Sequence, residues 1–115
     1  MFRKFGSFFL IGICLIPVEV AAYPTGNALL KEIQGRDFQK LSAIRYIVGV
    51  RHGLTLERAM AERQGRLGLL CIPDEVTDGQ LNDMVARHLD TNPSTRHHPP
   101  AFLIVEAWSK FMCLK

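Results

Sequence analysis

The sequence predicts an all-α fold, a small bundle of four to five helices stapled by one disulfide. Three observations carry that prediction. Apolar residues recur at three- and four-residue spacings along most of the chain, and no stretch alternates in the manner of a half-buried strand. The segment CIPDEVTDGQL, Cys71 to Leu81, contains a complete helix-start signal. Once the N-terminal leader is set aside, Cys71 and Cys113 are the only cysteines left to pair.

The leader comes first in the chain. Arg3 and Lys4 form a short positive region, Phe5 to Pro17 form an apolar run, and Val20-Ala21-Ala22 supply small residues at a cleavage point. That is the layout of a secretory signal peptide over residues 1–22, and the run is too short for a comfortable membrane span. Cys14 is not read as a lipidation site, because Ile13 precedes it where a small residue is needed. Export to the periplasm with cleavage near Ala22 leaves one domain, residues 23–115. The formal charge then falls from +3 to +2 as Arg3, Lys4 and Glu19 leave. Arginines are scattered and no aromatic residues interleave with them, so nucleic acid is not expected as a partner.

Export also sets the redox setting. Two cysteines in a small domain in an oxidising compartment are read as a disulfide, Cys71 to Cys113. The chain-entropy model gives a loop of that length on the order of 4 kcal/mol.

Within the domain, a short helix is expected to start near Asn27, to place Leu29, Leu30 and Ile33 on one face, and to stop at Gly35. Asp37 is the expected cap of a second helix carrying Leu41, Ile44, Ile47 or Val48, and Leu54. Gly49 and Gly53 lie four apart there and cost helix propensity, so close approach of another backbone is the expected reason for them. That backbone could be a dimer partner's or another helix of the same chain. The segment TLERAMAERQGRLGLL continues this helix or begins another, ending at Gly65 and Gly68.

The next helix is the most legible. Thr77 and Gln80 stand in capping-box relation, Val76 and Leu81 can close a hydrophobic staple, and Asp78 favours the helix dipole. Leu81, Met84, Val85, His88 and Leu89 follow on one face, and Asn92-Pro93 ends it. The polar run Leu89 to Pro100 reads as the longest exposed connection. The last helix opens at Pro99-Pro100 and carries Ile104, Trp108 and Phe111 on one stripe.

Chemistry-bearing constellations are thin. His97 and His98 are adjacent and point apart on a regular element, while His52 and His88 lack a partner at ligand spacing, so no metal or other cofactor is expected. His88 reads instead as a half-buried residue hydrogen-bonded to a neighbour. Cys71 as a nucleophile would need a free thiol. Asp74, Glu75, Asp78 and Asp83 cluster at a helix start, where they serve capping and dipole roles. No enzyme is expected.

The residues Cys71 to Val85, His88 to His97 and Pro100 to Trp108, with Tyr46 to Val50 and the segment GNALL upstream, together resemble the Rap/Tai-type immunity proteins of type VI secretion systems. The resemblance covers most of residues 23–115. It implies a periplasmic, helical, disulfide-stapled protein, often a homodimer. Such a protein binds a secreted peptidoglycan amidase and occludes its Cys-His active site without chemistry of its own. The chain departs from the pattern in two places. KEIQ and LSAI lack a second cysteine pair found in many relatives, and Met112 stands where a proline often precedes the final cysteine. Contacts to the effector are expected on Thr55 to Gly68 and on the Leu89 to Pro100 loop, with Arg58, Glu62, Arg63 and Asn92 as candidates. Arginine favours such surfaces because a planar donor fork is joined to an apolar stem. The competing reading is a small periplasmic stress chaperone of the same helical, single-disulfide build.

Overall fold

The computed structural model describes residues 23–114. The leader and its cleavage point lie outside the described residues. Four α-helices appear: α1 Gly26–Ile33, α2 Asp37–Arg63, α3 Asp78–Thr91 and α4 Pro100–Ala107, with 3-10 turns at Pro93–Thr95 and Ser109–Phe111. Among the described residues the only β-type pairing is an isolated bridge between Leu70 and Met112.

The cap of α1 lies two residues before Asn27, the residue near which the sequence places the start and which could have capped it: Thr25 is the cap, and its hydroxyl accepts from the Ala28 N–H at 3.3 Å. The cause is tertiary. The Gly26 and Asn27 N–H groups donate to the carbonyls of His98 and Arg96, at 3.0 and 2.9 Å. These donors are orphans of any helix N-terminus, and here the loop before α4 satisfies them. Gly26 is buried in that joint, and a Cβ there would lie 2.3 Å from Leu103 Cδ1.

Helix α2 runs unbroken through both glycines. Its cap is Arg36, whose N–H donates to Gln39 Oε1 at 3.2 Å, and Asp37 is the first helical residue. There its carboxylate still favours the dipole. Ala43, Ile47 and Ala61 are buried, and Tyr46, Val50 and Leu54 pack partly against the core. Leu41 was expected on that face and instead is 48 % exposed. Gly49 and Gly53 have nothing within 4 Å of a Cβ, so none of the described helices crosses them. The described residues cover one face of this helix and leave Phe38, Leu41, Leu56 and Met60 on the other exposed.

Helix α3 follows its local signals. The Thr77 N–H donates to Gln80 Oε1 at 2.9 Å, and the Gln80 N–H donates to Thr77 Oγ1 at 3.1 Å. Leu81, Val85 and Leu89 are buried, with Met84 packed at the core margin. Pro100 occupies the first position of α4, which buries Leu103 and Ile104. The fully buried Trp108 follows and donates its indole N–H to the Leu81 carbonyl at 3.0 Å, joining the end of α4 to the first turn of α3. Its apolar area and one satisfied donor make it the centre of the core.

Cys71 and Cys113 are bonded, with Cα atoms 5.0 Å apart. Two backbone bonds flank the bridge: Cys71 N–H to the Phe111 carbonyl at 2.7 Å, and Cys113 N–H to the Leu69 carbonyl at 3.2 Å.

Candidate functional site

The segment singled out in the sequence, Thr55 to Gly68, is the last third of α2 and the turn that follows. Gly65 takes φ +71, a left-handed conformation that favours glycine, and the Arg66 N–H bonds back to the Ala61 carbonyl at 2.8 Å. The chain then returns along its own helix. Gly68 is buried there, so close to the helix that a Cβ would sit 2.7 Å from Arg58 Cα. Glu57 Oε1 accepts the Leu69 N–H at 2.8 Å and fixes the returning segment. These contacts make a helix end and its reversal into one rigid feature.

Arg58 and Glu62 pair across one turn at 2.9 Å, with side chains 41 % and 55 % exposed. An exposed pair of this kind adds only about 0.3–0.5 kcal/mol. Its consequence is orientation, since it holds one edge of the guanidinium while leaving donors free for a partner. Thr55, Ala59 and Arg63 complete a shallow open groove beside the pair. Thus Arg58, Glu62 and Arg63 share one surface. Asn92 lies apart from them at the end of α3, where its amide donates to the His88 carbonyl at 2.8 Å and lies 3.2 Å from Thr91 Oγ1. Its side chain is engaged in terminating its own helix.

The Leu89 to Pro100 loop is less free than its polar composition suggests. It holds a 3-10 turn, Asn92, Thr95, Arg96 and His98 are half-buried, and its carbonyls receive α1. His97 and His98 pack ring against ring at 4.3 Å. His88 meets Glu106 at 3.4 Å, a link between α3 and α4 of the neighbour-bonded kind expected for it. Among the described residues no three His, Cys, Asp or Glu side chains gather as metal ligands. None of the described helices is long and apolar enough to cross a membrane.

One residue was not visible as important in the sequence. Arg51, on α2, pairs with Asp78 and donates to the Val76 carbonyl at 3.2 Å. It clamps the start of α3 from 27 residues away, a separation at which no local pattern could signal it. Tyr46 is the other tertiary product. Its phenol sits edge-on to Tyr23 at 5.1 Å, and burial, with the neighbouring Tyr23 second, raises its pKa above 10.

The surface therefore offers recognition chemistry: an oriented guanidinium, a paired carboxylate and exposed apolar side chains on a rigid support. Neither the curated proteins nor the solved structures contain a significant match to the chain. A family model does match, that of the Rap1a immunity proteins, over residues 25–113. The match begins at the cap of α1 and ends at the second cysteine of the bridge, so it takes in every described helix and the staple, and the chain belongs to the Rap1a immunity protein family.

Proposed function

We propose that this immunity protein acts in the periplasm, after removal of residues 1–22, by binding a type VI secreted peptidoglycan amidase and covering its active site. It works as a homodimer and without cofactor or catalysis of its own. The family match over 25–113 carries the reading. The geometry supports it: Arg58, Glu62 and Arg63 are presented on a stiff helix end backed by Gly65 and Gly68. A preorganised surface loses little freedom on binding, which favours tight inhibition.

The test is co-expression of periplasm-directed peptidoglycan amidases with and without the full chain, scored by culture lysis. Rescue from one amidase and no others is expected. Arg58→Glu with Arg63→Glu should abolish that rescue while leaving the thermal midpoint within a few degrees. Failure to rescue from any amidase, by a folded and exported protein, defeats the proposal. In that event suppression of aggregation of unrelated proteins would favour the stress-chaperone reading.

A further inference from the structure

The shallow groove beside Arg58 and Glu62 does not end at that pair. Thr55 and Arg58 also line a second, more enclosed recess, whose other walls are Arg51 on α2 and Leu70, Ile72 and Asp74 on the segment leading to α3. The recess has a volume of about 90 Å³. Small-molecule pockets begin at roughly 300 Å³, so this one is sized for a single side chain of a larger partner.

Both walls are fixed. The Leu69 N–H is bonded to Glu57, Gly68 lies against Arg58, and Cys71 is tied to Cys113. Arg51 in turn holds Asp78 and the Val76 carbonyl. A recess preformed in this way loses little freedom when it is filled.

Its charges select the occupant. Arg51 is neutralised by Asp78 and Arg58 by Glu62. Asp74 is exposed and belongs to none of the ion pairs among the described residues, so the recess carries one negative charge in excess. Leu70 and Ile72 supply apolar wall beside it. That combination matches a long cationic side chain, which lays its methylene stem on apolar surface and keeps its charged head at a polar end. An acidic side chain would face Asp74 and gain only arginines that already hold carboxylates. At the open end of the groove Arg63 is likewise in none of those ion pairs, so the groove runs from a positive end to a negative one.

We infer that the recess receives a lysine or arginine side chain of the amidase effector, with Asp74 as its counter-charge, and that Asp74, Ile72 and Thr55 decide which effector is bound. This rests on the effector-binding reading above and gives the partner segment a chemistry: a basic side chain at Asp74 and an acidic one at Arg63.

The test is the affinity of the full chain, expressed with its own leader and purified, for the amidase singled out by co-expression, measured by calorimetry. Asp74→Asn should weaken binding by roughly tenfold or more, whereas Glu75→Gln, the same charge change just outside the recess, should alter it by less than about threefold. Thr55→Trp fills the passage shared by groove and recess from an exposed helix position. It should weaken binding to a similar degree and leave the thermal midpoint within a few degrees. In double-mutant cycles the Asp74→Asn loss should disappear against alanine at one lysine or arginine of the amidase. Equal losses from Asp74→Asn and Glu75→Gln would reduce the effect to a diffuse field and overturn the recess. Undiminished binding by Thr55→Trp would overturn it too, and either result leaves the immunity reading standing. If no amidase is rescued in co-expression, that reading and the recess fall together.

Discussion

Helices α2 and α3 were built by different means, and the contrast explains most of what this protein is. Helix α3 is determined at every level. Its cap, staple and first-turn charge agree with its buried stripe, and Arg51 and Trp108 hold its first turn from two other elements. Helix α2 is nearly twice as long, fully buries only Ala43, Ile47 and Ala61, and carries two glycines against open space. Where local signals and tertiary packing agree, a helix is a structural member. Where a long helix has apolar residues that its own fold does not cover, the remainder is available for partners.

The largest test of this contrast is removal of the staple. Replacing Cys71 and Cys113 by serine should cost about 4 kcal/mol, the entropy of a loop spanning 42 residues, read as a lowered denaturant midpoint. If the loss stays below about 1 kcal/mol, the flanking bonds at Leu69 and Phe111 hold the junction without the bridge. Gly26→Ala should come next, at about 1–3 kcal/mol, because its methyl group would collide with Leu103 in the α1 joint. A neutral result would mean that the joint has slack. Smaller and opposite in sign are two caps on the comparison itself. Thr77→Ala at the start of α3 should destabilise by about 1 kcal/mol, while Gly53→Ala in α2 should stabilise the protomer by about 0.5–1 kcal/mol. Thermal melts at low protein concentration, where pairing does not contribute, would separate them. Two losses would show that Gly53 meets something within its own protomer.

The smallest effect is titration of the inner face of α2. Because the folded pKa of Tyr46 is raised above 10.0, the folded state holds its phenolic proton longer than the unfolded chain. Its contribution is fully present below pH 10 and is lost as pH rises through the higher folded value. Phenolate absorbance should therefore show one tyrosine ionising late, and Tyr46→Phe should remove that alkaline component.

Much of this was legible in the sequence. The helical period gave the class, the two cysteines gave the bridge, and Thr77 with Gln80 gave the start of α3, since each depends on residues a few positions apart or on a pair with no rivals. The reading of α1 failed at its cap because two of its donors are satisfied by Arg96 and His98, some 70 residues on. Leu41 was misplaced because periodicity identifies apolar faces without saying which one has a neighbour. Of the four residues singled out in the sequence, Arg58, Glu62 and Arg63 lie together on one surface, whereas Asn92 lies apart and is occupied with the end of α3.

The sequence by itself determined the helices, their sharpest start and the staple, because capping, helical period and cysteine pairing are set by short-range or exclusive chemistry. Only the tertiary structure decided that Arg51 clamps α3, that the loop at Arg96 and His98 caps α1, and that one side of α2 is left open. Those outcomes depend on which surfaces meet when the chain closes, and burial is a property of neighbours, not of the residue that is buried.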